Sequence, residues 1–207
     1  MMTIRCFYCV LLVFLIAGCG PNQSKETSQT EVIESTRAPR FNADSAYNYI
    51  SEQVAFGPRI PNTASHAKAQ EYYVQQFKKF GASVFVQEFE ASTFDRKQLR
   101  LSNIIASFNP GTQKRILLAA HWDTRPFADK DPHKKDESFD GADDGGSGVG
   151  VLLEVARQVG QQLPAAGVDI ILFDGEDWGE KENQANRIPP PESLSSWWCL
   201  GSQYWSK

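Results

Sequence analysis

The clearest periodicity lies around Val149, Leu152, Leu153, Ala156 and Val159, which recur at the spacing of one helix face. Continuous apolar runs stand on either side, Arg115 to Ala120 before the stripe and Val168 to Phe173 after it. Runs of that length predict strands covered on both faces. Strand, helix, strand then predicts a right-handed parallel crossover, with Pro164-Ala165-Ala166-Gly167 turning the chain into the second strand. Upstream, Ser83 to Phe89 and Leu99 to Phe108 read as two more strands, and Asn109-Pro110-Gly111 as a turn.

Two helices are expected before these strands. One places Ala46, Ile50 and Val54 on a single face, with Asp44 or Ser45 as its cap, and ends at Phe56-Gly57-Pro58-Arg59. The other runs from about Ser65 to Phe80 and stops at Gly81. Trp178 to Ser196 is polar and carries three consecutive prolines, which predicts a surface loop, either a tolerated insertion or a lid. The expected class is α/β, a mixed and largely parallel twisted sheet with helices on both faces.

Composition narrows the setting. With 207 residues, 41% hydrophobic and 22% charged, the chain fits one globular domain plus a leader. A net charge of -4 argues against a nucleic-acid partner. Arg5 followed by the apolar stretch Phe7 to Ile16 is too short for a membrane span and reads as a signal peptide over 1–19. Ile16-Ala17-Gly18-Cys19 resembles the lipobox of bacterial lipoproteins. That likeness implies lipid on Cys19 and anchoring in the cell envelope, periplasmic or surface, without a span. Residues 20–40 are polar and expected to form a disordered tether, with the domain at 41–207. Of the four cysteines, Cys6 and Cys9 fall in the leader and Cys19 in the lipobox. That leaves Cys199 alone in the domain, without an intrachain disulfide.

The chemistry collects where strands and turns end. One apolar run leads into His121-Trp122-Asp123, a glycine-rich turn holds Asp143-Asp144, and another run leads into Glu176-Asp177. Taken singly, each has a plain structural reading: a hydrogen-bonded histidine, an Asx turn, a solvated acidic loop. Together, at the ends where α/β sheets bind ligands, they point to a zinc site. Of two adjacent acids, one can coordinate metal while the other stays free to move a proton. His66 and His133 lack that setting and are expected at the surface.

The ordered motifs Leu101-Ser102-Asn103-Ile104-Ile105, Asn109-Pro110, Ala120-His121-Trp122-Asp123-Thr124-Arg125, Asp140-Gly141-Ala142-Asp143-Asp144, Phe173-Asp174-Gly175-Glu176-Asp177 and Gly201-Ser202 resemble those of the glutaminyl-peptide cyclotransferases. These enzymes share a fold with the di-zinc aminopeptidases, and the likeness runs from about Phe41 to the last residue. It implies zinc held by Asp144 and Asp177, and Glu176 as the catalytic acid and base. It makes His121 and Asp123 candidates for a second shell or a second metal. The implied substrates are peptides or proteins with an N-terminal glutamine, converted to pyroglutamate with release of ammonia. Asp177 stands where many relatives have Glu, as in the bacterial cyclases. The family's third zinc ligand, a histidine, and a further catalytic Asp are expected beyond Lys207, so the domain is expected to be incomplete at its C-terminus. A di-zinc aminopeptidase of the same fold, or an inactive fragment lacking the last ligand, are the alternatives.

Overall fold

Side-chain caps start the first two helices. Asn42 accepts the Ser45 amide at 3.1 Å, opening α1 (Ala43–Ala55), and Thr63 accepts the His66 amide at 3.2 Å, opening α2 (Ala64–Lys79). The computed structural model of the protein describes residues 38–181 and 187–207. After α2 come strands β1 (Ser83–Ser92), β2 (Gln98–Phe108) and β3 (Arg115–His121), then helix α3 (Gly146–Gln161), strand β4 (Gly167–Phe173) and the short helix α4 (Leu200–Trp205). The expected signal peptide, Cys19 and most of the tether lie outside the described residues.

The sheet runs β1-β2-β4-β3. β1 and β2 form an antiparallel hairpin, β2 pairs antiparallel with β4, and β4 pairs in parallel with β3 across α3. The mixed sheet and the parallel crossover pairing are as the hydrophobic pattern predicts. The parallel share is smaller than expected: among the described residues one ladder of the three is parallel. A hairpin connection enforces antiparallel pairing of β1 with β2, while β3 and β4 are consecutive strands joined through a helix, the connection a parallel pair needs.

Alternation along β2 splits its side chains between two cores. Ile104, Ala106 and Phe108 face α2 and α3 and join Tyr73, Phe77, Leu153, Ile170 and Leu172 in the larger one. Leu99 and Leu101 face the other way and pack with Phe89, Trp178, Trp197 and Leu200 at the start of α4. Helices therefore lie on both faces. The segment after Trp178 is anchored at both ends by buried tryptophans, which its polar composition hides.

Two local expectations are corrected. The cap of α1 is Asn42 rather than Asp44 or Ser45, and the inward face that carries Ala46, Ile50 and Val54 as expected also buries Gln53. Gln53 is buried because its amide is satisfied, donating to Tyr49 O and Gly146 O and accepting the Tyr73 hydroxyl. Strand β3 is the outer strand of the sheet among the described residues, and its side chains are not covered on both faces. Ile116 and Leu117 are about half exposed (53% and 48%), since no strand among the described residues pairs its outer side.

The sheet's geometry bears on the site at one further place. β2 outruns β4, which pairs only with Ile104 to Phe108. Side chains close the free edge beyond. Asn62 donates to Gln98 O and accepts Arg100 N, and Asp174 accepts Ser102 N at 2.7 Å.

Candidate metal and proton-transfer site

Strand β3 ends in alternation: Trp122 points into the core while His121 and Asp123 point the other way. Trp122 is wholly buried, stacks on His66 at 4.2 Å and donates its indole N–H to Ser102 O. A buried tryptophan is worth about 4–6 kcal/mol of gross apolar burial, an upper figure before ordering entropy. It thus anchors the two polar neighbours. The ladder also extends one residue further, Trp122 N to Phe173 O at 3.0 Å, so the exits of β3 and β4 stay side by side.

Asp123 is fully buried, and its two oxygens accept the main-chain amides of Glu176 (3.0 Å) and Asp177 (3.1 Å). The expected acid pair is therefore hung from the neighbouring strand's carboxylate. Arg125 holds the same loop from its far side, donating to Asp177 O and Gly179 O through Nη1 and to Glu180 O through Nη2, while Asp129 pairs with its guanidinium. The ring of Trp198 covers Arg125 at 4.6 Å. The glycine-rich turn brings the third acid. His121 Nε2 lies 2.9 Å from Asp144 Oδ1. At Gly145, φ is +77°, and a Cβ there would stand 3.0 Å from Asp123 O and 3.1 Å from the His121 ring, so glycine lets the turn press against the strand exit.

All five expected site residues thus gather around one corner. Glu176 is about one-third exposed, with His121 Nδ1 3.9 Å from its Oε2 and the Cys199 thiol donating to its Oε1 at 3.2 Å. Asp177 is buried beside it, and Asp144 is open to solvent. Asp144 and Asp177 both line a cavity of about 420 Å³ that also meets Arg125, Lys130 and Trp198.

The electrostatics are those of a place short of positive charge. Burial and the nearby carboxylates of Asp123 and Asp144 push Asp177 up to about 7, against the opposing pull of Arg125. Burial would lower His121, but Asp123, Glu176 and Asp144 outweigh it and raise the imidazole to about 9. Asp177 Oδ2 and His121 Nδ1 are buried without a hydrogen-bond partner, Asp123 Oδ1 being 3.6 Å from the latter. An orphaned buried carboxylate oxygen among crowded acids suits a bound cation, and a carboxylate and imidazole set suits zinc. Among the described residues, no three His, Cys, Asp or Glu side chains are close enough to form a complete metal site.

His66 is a further correction. It is buried, and its Nε2 lies 2.9 Å from Oδ1 and 3.0 Å from Oδ2 of Asp174, a carboxylate with no exposed surface. Asp174 ends β4 and needs a donor there, a demand invisible at position 66. His133 is exposed, as expected.

Residues 103–207 match peptidase family M28. The chain belongs to that family. It is similar to the glutaminyl-peptide cyclotransferase of Drosophila melanogaster, 27% identical over 135 residues that cover 61% of this chain and 36% of that one. Among solved structures it resembles a Zn-dependent exopeptidase from Parabacteroides distasonis (52% identity, TM-score 0.77). It also resembles Tannerella forsythia glutaminyl cyclase (48% identity, TM-score 0.77). Each of these likenesses covers 82% of this chain and 57% of the solved one. The chain therefore spans about a third of that curated relative and just over half of the two solved chains.

Proposed function

We propose that this chain carries the strand-end half of a zinc-dependent glutaminyl-peptide cyclotransferase site. The carrying observation is the acid pair. Glu176 is partly open, Asp177 is buried beside it, and one carboxylate holds both main-chain amides. The likeness to glutaminyl cyclases supports the choice of reaction.

In this reading Asp144 and Asp177 hold zinc. When bound, zinc supplies Lewis-acid polarisation of the γ-carbonyl of an N-terminal glutamine. Glu176 takes a proton from the α-amine as the nitrogen bonds to the side-chain carbonyl carbon, and returns it to the departing ammonia. The ring closes as a lactam, the C–N bond to the leaving nitrogen breaks, and no water is consumed. Asp123 and Arg125 keep Glu176 and Asp177 in register. His121 sits between Asp123, Asp144 and Glu176 as an orienting cation, or as a ligand if a second metal enters. The 420 Å³ cavity beside Asp144 is where the rest of the peptide would lie.

Anchoring at a bacterial envelope through lipid on Cys19 belongs to the same proposal. Its support is the sequence Ile16-Ala17-Gly18-Cys19.

One observation favours a second reading. His121 Nε2 touches Asp144 at 2.9 Å, the place for a second metal, and a similar solved protein is described as an exopeptidase. The test uses zinc and a Gln-initiated peptide. Ammonia release with the peptide otherwise intact supports cyclisation. Release of a free amino acid sinks it in favour of an aminopeptidase, and neither product with no zinc bound leaves an inactive fragment.

A further inference from the structure

Arg59 has no exposed surface, and its guanidinium has no carboxylate partner among the described residues. Its hydrogen bonds all go to main-chain carbonyls: Nε to Trp122 O at 3.1 Å, Nη1 to Asp140 O at 2.7 Å, Nη2 to Gly141 O at 2.8 Å. Its own carbonyl accepts Thr124 N at 3.2 Å. Burying a cation against neutral oxygens alone is costly, several kcal/mol in ordinary surroundings.

The three oxygens belong to two segments that the chain must bring together. Trp122 lies between His121 and Asp123. Asp140 and Gly141 open the turn that ends in Asp144. Gly141 O also accepts Gly146 N at 3.0 Å, so the same oxygen ties the turn to the first residue of α3. Gly141 has φ +58°, and a Cβ there would collide with Thr124 Cγ2 and come within 3.1 Å of Arg59 Nη2. The guanidinium thus bridges the opening of the turn to the strand exit, beside the direct approach of Gly141 to Thr124.

We propose that Arg59 is a positioning residue of the metal site. Its fork sets the place of Asp144 relative to His121 and to the acid pair hung on Asp123. An ammonium could supply the charge but not three donors in one fixed plane. This proposal rests on the reading of Asp144 and Asp177 as zinc ligands.

The test titrates zinc, in competition with a chromophoric chelator, into the full 207-residue chain, Asp144→Asn and Arg59→Lys. The wild-type chain should bind, and Asp144→Asn should lose most of its affinity. Arg59→Lys should bind about 10–100-fold more weakly while still melting cooperatively. Wild-type affinity in Arg59→Lys beside weak binding in Asp144→Asn overturns the positioning role and leaves the ligand assignment standing. Equal binding by the wild type and Asp144→Asn removes the ligand assignment and this proposal with it. If Arg59→Lys does not melt cooperatively, the wild type decides. Linkage requires zinc to strengthen a fork that strengthens zinc binding. Hydrogen exchange at Arg59 Nε, followed by nitrogen NMR, should slow when zinc is added, and an unchanged rate overturns the proposal.

Discussion

The Asp123 carboxylate accepts the Glu176 amide at 3.0 Å, so the orientation of the proposed proton carrier is set by a residue of the neighbouring strand exit. The other oxygen does the same for Asp177. Asp123→Asn would turn an N–H toward an amide that is itself a donor, in a place with no water-exposed side. A loss of about 2 kcal/mol or more is expected in urea unfolding, with zinc affinity down about 10–100-fold. Unchanged stability and affinity would remove Asp123 from this role.

Glu176→Gln keeps the shape of the side chain and an oxygen for the Cys199 thiol. It should leave zinc affinity nearly intact and lower turnover of a Gln-initiated peptide by about 10²–10⁴-fold. Retained turnover in a zinc-loaded variant would show that another group moves the proton.

His66→Ala tests the buried pair away from the proposed zinc ligands. Asp174 has no exposed surface, and without His66 it keeps only the amides of Ser102 and Gly175 as donors. Removing one partner of a buried pair costs about 3–5 kcal/mol, and the stacking on Trp122 goes with it. Chemical denaturation should show that loss, whereas a shift within experimental error would place the pair outside the stability core.

The Arg115–Asp169 pair gives a pH dependence of definite sign. The Arg115 hydrogen bond, ahead of the opposing effect of burial and with help from the Ser107 hydroxyl, holds Asp169 below its usual 3.8. A carboxylate depressed in the folded state adds stability above its unfolded pKa, and that stability is lost as pH falls through the folded value. Asp169→Asn should therefore unfold more easily than the wild type at pH 7, and the difference should close below about pH 3.8. A gap that stays constant with pH would mean that the effect is not ionic.

Much of this was readable along the chain. The strand runs ending in His121 and Phe173, the stripe of α3 and the glycine turn before it are local patterns, and they alone deliver His121, Asp144, Glu176 and Asp177 to one end of the sheet. Other features had no local signal. His66 lies 108 positions from its partner Asp174, and Arg59 lies 63 from Trp122. Arg59 reads only as the residue after a helix-breaking Gly57-Pro58, and Gln53 as one more polar position on α1. Cys199 reads as a lone thiol until α4 brings it to Glu176.

The sequence by itself determined the class of the fold, the order of its four strands and first three helices along the chain, and which acids stand at strand ends, because hydrophobic period and turn chemistry act over a few neighbouring residues. The tertiary structure alone decided that β3 takes the outer place in the sheet of the described residues, that His66, Gln53 and Arg59 are interior, and that Asp123 carries the backbone of the acid pair. Those outcomes depend on which donors and acceptors meet once distant segments pack.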